Sequence, residues 1–85
     1  MRLVFEREAT EDLRFWIETD RRKALKVLDL IKATMVDPFE GIGKPEPLKF
    51  GLSGFWSRRI DQEHRLVYKL ADNDLIVIGC RHHYD

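Results

Sequence analysis

The sequence lacks several features that would identify its class at once. It contains one cysteine, Cys80, so it cannot form an internal disulfide. Its 15 basic side chains balance 15 acidic ones, so no overall positive field draws the protein onto a polyanion. The N-terminal stretch MRLVFEREA has no apolar run that resembles a signal peptide or a membrane span. We therefore expect a cytoplasmic protein with no membrane partner, whose net charge does not favour binding to free nucleic acid.

The composition is that of a small folded domain. Apolar residues make up 44% of the chain and charged residues 35%, with only three prolines and five glycines. Disordered chains are less apolar than this, and so short a chain fills one core rather than two. The sequence predicts one α+β domain over residues 1–85.

Hydrophobic spacing predicts a short strand followed by two helices. The segment MRLVFE has a strand pattern, and from residue 9 to residue 35 the apolar positions recur with a helical period. The polar segment ETDRR interrupts this period, and Asp20 within it is suited to cap the second helix. Asp37 precedes a proline, which ends that helix. We expect a helical hairpin.

Turn residues divide the rest of the chain into a loop and three strands. PFEGIGKPEP has the prolines and glycines of a loop, and its GIGKP segment lacks the spacing of a phosphate-binding loop. GFWSRRI, HRLVYKL and LIVIGCRHH are strand candidates separated by the turn segments DQE and ADND. The predicted fold is an antiparallel sheet, made of the short N-terminal strand and a C-terminal meander of three or four strands, with two N-terminal helices packed on one face.

Alternation along the strands predicts which side chains share a face of the sheet. The side chains expected to point toward the helices are Trp56, Ile60, Leu66, Tyr68, Leu70, Ile76, Ile78 and Cys80. The opposite face then gathers four side chains that are or can become cationic, namely Arg59, Arg65, Arg81 and His83.

This cationic face has two interpretations. It is the solvated polar face of a half-buried sheet, or it is a binding site for a polyanion. Like charges on neighbouring strands repel, and the arginines have no carboxylates interleaved, which favours the second interpretation. Phosphate is the anion whose geometry the guanidinium group matches.

Four longer motifs resemble one protein family. GKPEPLK, LSGFWSRRI, EHRLVY and CRHHY are similar to segments of the YoeB toxins of the RelE superfamily, and ETDRR with the helix that runs to DPFEG fits the same pattern. The resemblance implies a RelE-like fold and a metal-independent endoribonuclease that cleaves mRNA in the ribosomal A site, without a cofactor. It also implies three partners: a YefM-like antitoxin, the ribosome with its mRNA, and a second copy of the chain in a homodimer.

The resemblance assigns roles to individual residues. It implies that Glu46 is the general base, that His83 is the general acid, and that Arg65 stabilises charge on the phosphate. The residues that it implies for substrate binding are Lys49, Arg59 and Tyr84. The chain departs from the family at His82, where tyrosine is common.

These residue types suit RNA cleavage by the substrate's own 2′-hydroxyl. That reaction needs a base for the hydroxyl proton, an acid for the 5′-oxygen, and cations for the phosphate. With a reference pKa of about 4.3, a glutamate is ionised near neutral pH, and a histidine, at about 6.5, is partly protonated. An arginine keeps its proton, so it suits stabilisation of the negative charge on the phosphate and not proton transfer.

Simpler interpretations remain open for several of these residues. Apart from the family resemblance, Glu46 is an exposed loop carboxylate, and Tyr84 packs on the core edge as readily as it stacks on a base. Cys80 is expected to be an inert core thiol. His82 and His83 should point to opposite faces of an extended strand, so we expect no metal site.

Two other functions remain alternatives for the whole chain. One is a superfamily toxin that binds DNA gyrase, although such relatives lack the glutamate, arginine and histidine set. The other is a catalytically inactive toxin that still binds its antitoxin.

Overall fold

The structure is a computed structural model that describes residues 1–82. Its helices are α1 (Arg7–Thr19) and α2 (Arg21–Val36). Its strands are β1 (Arg2–Phe5), β2 (Glu46–Pro47), β3 (Phe55–Arg59), β4 (Arg65–Ala71) and β5 (Asp74–Gly79), and a 3₁₀ turn spans Phe50–Leu52. The five strands form one sheet in the order β1-β5-β4-β3-β2.

The predicted fold, two helices on one face of a sheet, is confirmed. The four C-terminal strands form the predicted antiparallel meander. Strand β1 pairs with β5 in parallel, so the sheet as a whole is mixed. Strand β2 was not predicted, since it lies within the segment predicted as a loop. It has only two residues, too few to show the alternation of apolar and polar residues by which a strand is recognised.

The helical hairpin has the predicted break and the predicted end, and it begins two residues before the predicted start. Asp20 alone separates the helices, and its backbone carbonyl accepts hydrogen bonds from the N–H groups of Lys23 and Ala24, while its side chain makes no capping bond. Asp37 ends α2 in an extended conformation before Pro38, as steric conflict with the proline ring requires.

The core lies between the helices and one face of the sheet. Buried apolar residues from the helices are Ala9, Trp16, Ala24, Val27, Leu30 and Ile31, and those from the sheet and its ends are Ile60, Leu66, Tyr68, Leu75, Val77 and Cys80. The Trp16 indole N–H donates a buried hydrogen bond of 2.7 Å to the carbonyl of Cys80, which satisfies its one polar atom.

The predicted alternation is wrong for β5. Leu75 and Val77 are the fully buried core residues, whereas Ile76 and Ile78 are half-buried and lie outside the core cluster. Val67 pairs with Gly79 and Tyr68 with Val77, so Ile78 is one extra residue, a β-bulge that shifts the alternation. Because of this shift, Cys80 is buried in the core as predicted. Leu70, also predicted to be core, is 39% exposed near the end of its strand.

Candidate active site

Two of the predicted site residues lie side by side on the face that the helices leave uncovered. Leu66 and Tyr68 belong to the core, so Arg65 points to the opposite face of β4. Arg59 of β3 is the direct cross-strand partner of Arg65. Side chains in such positions have Cβ atoms about 5 Å apart.

Glu46 lies on the short edge strand β2, next to the strand that carries Arg59. It pairs with Ser57, which is two residues from Arg59 on β3, so Glu46 and Arg59 are diagonal neighbours, a relation in which residues lie about 7–8 Å apart. Glu46 and Arg59 are exposed, whereas Ser57 beside them is 2% exposed. The strand register therefore places Glu46, Arg59 and Arg65 on one face of the sheet, beside the buried Ser57.

The two arginines have different environments. Arg65 is 8% exposed, and its Nη1 donates hydrogen bonds to the carbonyl oxygens of Asp61 (2.9 Å) and His64 (3.2 Å) in the β3–β4 turn. Carbonyl dipoles thus offset part of its charge and fix its position. Arg59 is exposed and able to meet a ligand directly.

A glycine holds the loop before Glu46 against β3. The N–H of Arg59 donates a hydrogen bond of 2.6 Å to the carbonyl of Gly43. Gly43 has a φ of +84°, and a Cβ atom there would lie 2.7 Å from Cδ2 of Leu30. Only glycine combines this conformation with so close an approach to α2. The GIGKP segment thus has a structural role, because it packs against α2 and β3 beside the candidate site.

Arg58 is an organising residue that the sequence analysis did not single out. It is fully buried, and its guanidinium donates hydrogen bonds to the carbonyls of Asp37, Glu40 and Ile42 and to the Tyr68 hydroxyl. The Tyr68 hydroxyl in turn donates to the carbonyl of Pro38. Together these bonds tie the segment after α2 to the sheet. The sequence did contain a sign of this burial. Arg58 alternates with Trp56 and Ile60, which were predicted to face the helices, so its side chain should also point toward the core.

Lys49 follows β2 and is exposed. The N–H of Leu48 bonds to the carbonyl of Phe55, and the carbonyl of Lys49 accepts a bond from Leu52, so Lys49 begins the turn that joins β2 to β3. It is therefore three residues from Glu46, at the end of the edge strand that carries the carboxylate.

Arg81 does not join the other arginines, so its predicted place on that face is wrong. Strand β5 ends at Gly79, and the alternation does not continue through the bend that follows. The guanidinium carbon of Arg81 lies 3.4 Å from the ring centroid of Phe15 in α1, a cation–π contact on the helix side.

The segment after β5 nevertheless contacts the backbone of Arg65. The N–H of Arg65 donates a hydrogen bond of 3.1 Å to the carbonyl of His82, which brings His82 beside the start of β4. His82 itself is exposed. The predicted residues His83 and Tyr84 lie outside the described residues.

A sequence profile described as the YoeB-like toxin of bacterial type II toxin-antitoxin systems matches residues 5–84. The chain belongs to this family. One relative, the toxin YoeB of Escherichia coli strain K12, is 55% identical over 84 residues, which cover 99% of this chain and 100% of the relative. The resemblance noted in the sequence motifs is therefore confirmed over nearly the full length.

Solved structures of YoeB toxins have the same fold. The YoeB/ParE toxin from Agrobacterium tumefaciens superposes with a TM-score of 0.95 at 48% identity, covering 99% of this chain and 100% of that one. A YoeB dimer from Staphylococcus aureus gives a TM-score of 0.91, and a heterotetrameric YoeB-YefM complex from the same organism gives 0.88. Both are 40% identical and cover 99% of this chain and 98% of theirs.

Cys80 of this YoeB-family chain lies in the core and not in the site. Burial, with a contribution from the nearby Asp12 carboxylate, raises the pKa of its thiol to about 12, so the thiolate does not form near neutral pH. Its backbone N–H donates to Oδ2 of Asp12 in α1. Within residues 1–82, no three His, Cys, Asp or Glu side chains are grouped as metal ligands would be, and neither helix is long and apolar enough to cross a membrane.

Proposed function

We propose that this toxin is an endoribonuclease that cleaves mRNA in the ribosomal A site and so inhibits translation. The observation that supports it most is the grouping of Glu46, Arg59 and Arg65 on one uncovered face, beside the backbone of His82. These are the residue types that cleavage by a 2′-hydroxyl requires, and they belong to separate segments that the fold assembles.

Glu46 acts as the general base in this proposal. Its carboxylate is exposed on an edge strand and accepts the proton of the substrate's 2′-hydroxyl, which attacks the adjacent phosphorus. Arg65, fixed by the turn carbonyls, stabilises the charge that develops on the phosphate oxygens.

His83 acts as the general acid. It donates a proton to the departing 5′-oxygen, which leaves a 2′,3′-cyclic phosphate on the upstream fragment. The hydrogen bond from Arg65 to His82 supports this role, because it brings the preceding residue next to the charge-stabilising arginine. The reaction needs no cofactor and no metal ion.

The other proposed residues bind the substrate. Arg59 and Lys49 are exposed cations near the base, so they contact phosphates of the mRNA backbone. Tyr84 stacks on a base next to the cleaved bond. This set is too small to hold an extended strand, and the chain has a formal net charge of zero, so the ribosome presents the mRNA.

The proposed partners follow from the same family. The Staphylococcus aureus complex contains a YefM antitoxin, and another structure from that organism is a dimer. We propose that a YefM-like antitoxin neutralises this toxin in the cytoplasm and that the toxin forms a homodimer.

The test measures single-turnover cleavage of an end-labelled mRNA on programmed ribosomes. Wild-type protein should cut within the A-site codon and leave a 2′,3′-cyclic phosphate or the 3′-phosphate derived from it. Glu46→Gln should bind the ribosome and cut far more slowly. Absence of cleavage by the wild type would favour an inactive or gyrase-directed toxin, and a 5′-phosphate on the downstream fragment would exclude the proposed mechanism.

A further inference from the structure

The turn between β3 and β4 forms a set of acceptors for one guanidinium nitrogen. Nη1 of Arg65 lies 2.9 Å from the carbonyl oxygen of Asp61, 3.2 Å from that of His64 and 3.4 Å from that of Gln62. All three oxygens belong to the turn that precedes Arg65 in the chain. The conformation of this turn therefore fixes where the guanidinium lies.

The side chain of Asp61 in turn holds the turn together. Its Oδ1 accepts hydrogen bonds from the N–H groups of Glu63 (2.7 Å) and His64 (2.6 Å), as in an Asx turn. Its Oδ2 lies 2.7 Å from Nζ of Lys23 in α2. One carboxylate thus joins the turn to the helical layer.

This carboxylate stays ionised near neutral pH. Partial burial by itself would raise the pKa of Asp61, but the bonds from Lys23, His64 and Glu63 outweigh it and lower the pKa to about 2. The three donors favour the charged form, which is the form that caps the turn.

We propose that Asp61 is a positioning residue, which acts on cleavage only by holding the β3–β4 turn in the conformation that aims the guanidinium of Arg65 at the phosphate. The proposal rests on the proposed ribonuclease function. Lys23 contributes by restraining the carboxylate from α2. Asp61 itself does not touch the substrate.

Two substitutions separate the parts of this arrangement. Asp61→Ala removes both turn hydrogen bonds and the ion pair, and misplacement of a charge-stabilising group should lower kcat by about 10- to 100-fold without changing KM for the ribosome. Asp61→Asn keeps an oxygen that can accept the two turn bonds but loses the charge and the ion pair with Lys23. Because the turn bonds remain, we expect a decrease of less than about threefold. Asp74→Ala, which breaks the exposed pair with Arg2 at the β1–β5 edge, is the matched control and should cleave normally.

A double-mutant cycle with Arg65 distinguishes positioning from a general loss of folding. If Asp61 acts through Arg65, then Asp61→Ala has no further effect on cleavage in an Arg65→Ala background. A general loss of folding would lower cleavage equally in both backgrounds. Thermal melting checks each variant, and Asp61→Ser, which keeps a shorter cap, replaces Asp61→Ala if the latter is unfolded at the assay temperature.

A second measurement does not depend on activity. NMR of Arg65 should show restricted rotation of the guanidinium in the wild type and in Asp61→Asn, and faster rotation in Asp61→Ala. Full activity of Asp61→Ala, or equal losses in the two Arg65 backgrounds, would overturn the inference. An inactive wild type would instead overturn the proposed function, and the Arg65 signals would then decide alone whether Asp61 positions the guanidinium.

Discussion

Arg59 and Arg65 lie directly opposite one another on neighbouring strands of the sheet. Two cations in such a pair repel each other. Turn carbonyls that accept hydrogen bonds from Arg65 and the exposure of Arg59 to water reduce this repulsion in the free protein. A phosphate bound between the two guanidinium groups would replace the repulsion with two attractions.

The first prediction follows from this pair. Arg59→Ala should lower single-turnover cleavage by about 100-fold, because it removes one charge-assisted donor to the phosphate. Its free energy of unfolding should stay within about 0.5 kcal/mol of the wild type, since the side chain is exposed and its loss relieves repulsion. Arg22→Ala, an exposed arginine on α2, is the control and should change neither quantity. A large loss of stability in Arg59→Ala would indicate a structural role instead.

The second prediction separates the two adjacent histidines. His83→Gln should lower cleavage by about 10²- to 10⁴-fold, the usual contribution of a general acid. His82→Gln should have a mild effect, because only the backbone carbonyl of His82 contacts Arg65. The measurement is single-turnover cleavage of ribosome-bound mRNA by each variant, and equal losses would contradict the assignment of the acid to His83.

The third prediction concerns the buried Arg58. Arg58→Met should lower the free energy of unfolding by more than about 3 kcal/mol, because the carbonyls of Asp37, Glu40 and Ile42 lose their donor. Tyr68→Phe removes only the hydroxyl from this network and should cost about 1–2 kcal/mol. Urea unfolding measures both.

The control for Arg58 is Arg22→Met, the same substitution at an exposed site. It should unfold at nearly the wild-type urea concentration. If Arg58→Met unfolded at the same urea concentration as Arg22→Met, the buried network would contribute nothing to stability. Other contacts would then have to hold the segment after α2 against the sheet.

Much of the fold could be predicted from the sequence because its signals are local. The helical hairpin could be predicted from the helical periodicity and the Asp37-Pro38 step. The turn segments predicted that the C-terminal strands form an antiparallel meander. The bulge at Ile78 could not be predicted, since one extra residue leaves no mark on composition yet reverses the faces of β5. The parallel partner of β1 also depends on tertiary packing.

The candidate site was predictable in part. Alternation placed Arg59 and Arg65 on one face, and the structure agrees. Arg81 was misassigned because the strand stops at Gly79 and the guanidinium stacks on Phe15. Periodicity does not report the roles of Arg58 and Asp61, because Arg58 bonds to carbonyls in the segment after α2 and Asp61 pairs with Lys23 in α2. Glu46 was proposed only from the family resemblance, and its two-residue strand places it diagonal to Arg59.

The fourth prediction is a dependence of stability on pH. The pKa of Asp61 is lowered to about 2 in the folded protein from 3.8, so its ionised contacts contribute fully above about pH 4 and are lost as the pH falls toward 2. Lys23→Met should therefore be less stable than the wild type at pH 7, and the difference should shrink between pH 4 and pH 2. Urea unfolding at several pH values measures this. A difference that is constant with pH would mean that Lys23 stabilises the fold through a contact other than Asp61, such as the Trp16 ring, whose centroid lies 5.1 Å from Nζ.

The fifth prediction concerns the ribosome, on which the proposed function depends. The protein has a formal net charge of zero and only a small group of cations at the site, so it should hold free RNA weakly. The decisive measurement is a cleavage time course of one mRNA at matched salt, either bound to programmed ribosomes with an empty A site or free in solution. Cleavage on the ribosome should be faster by at least about 100-fold, because the A site supplies the positioning that the toxin lacks; comparable rates on the two substrates would contradict the account.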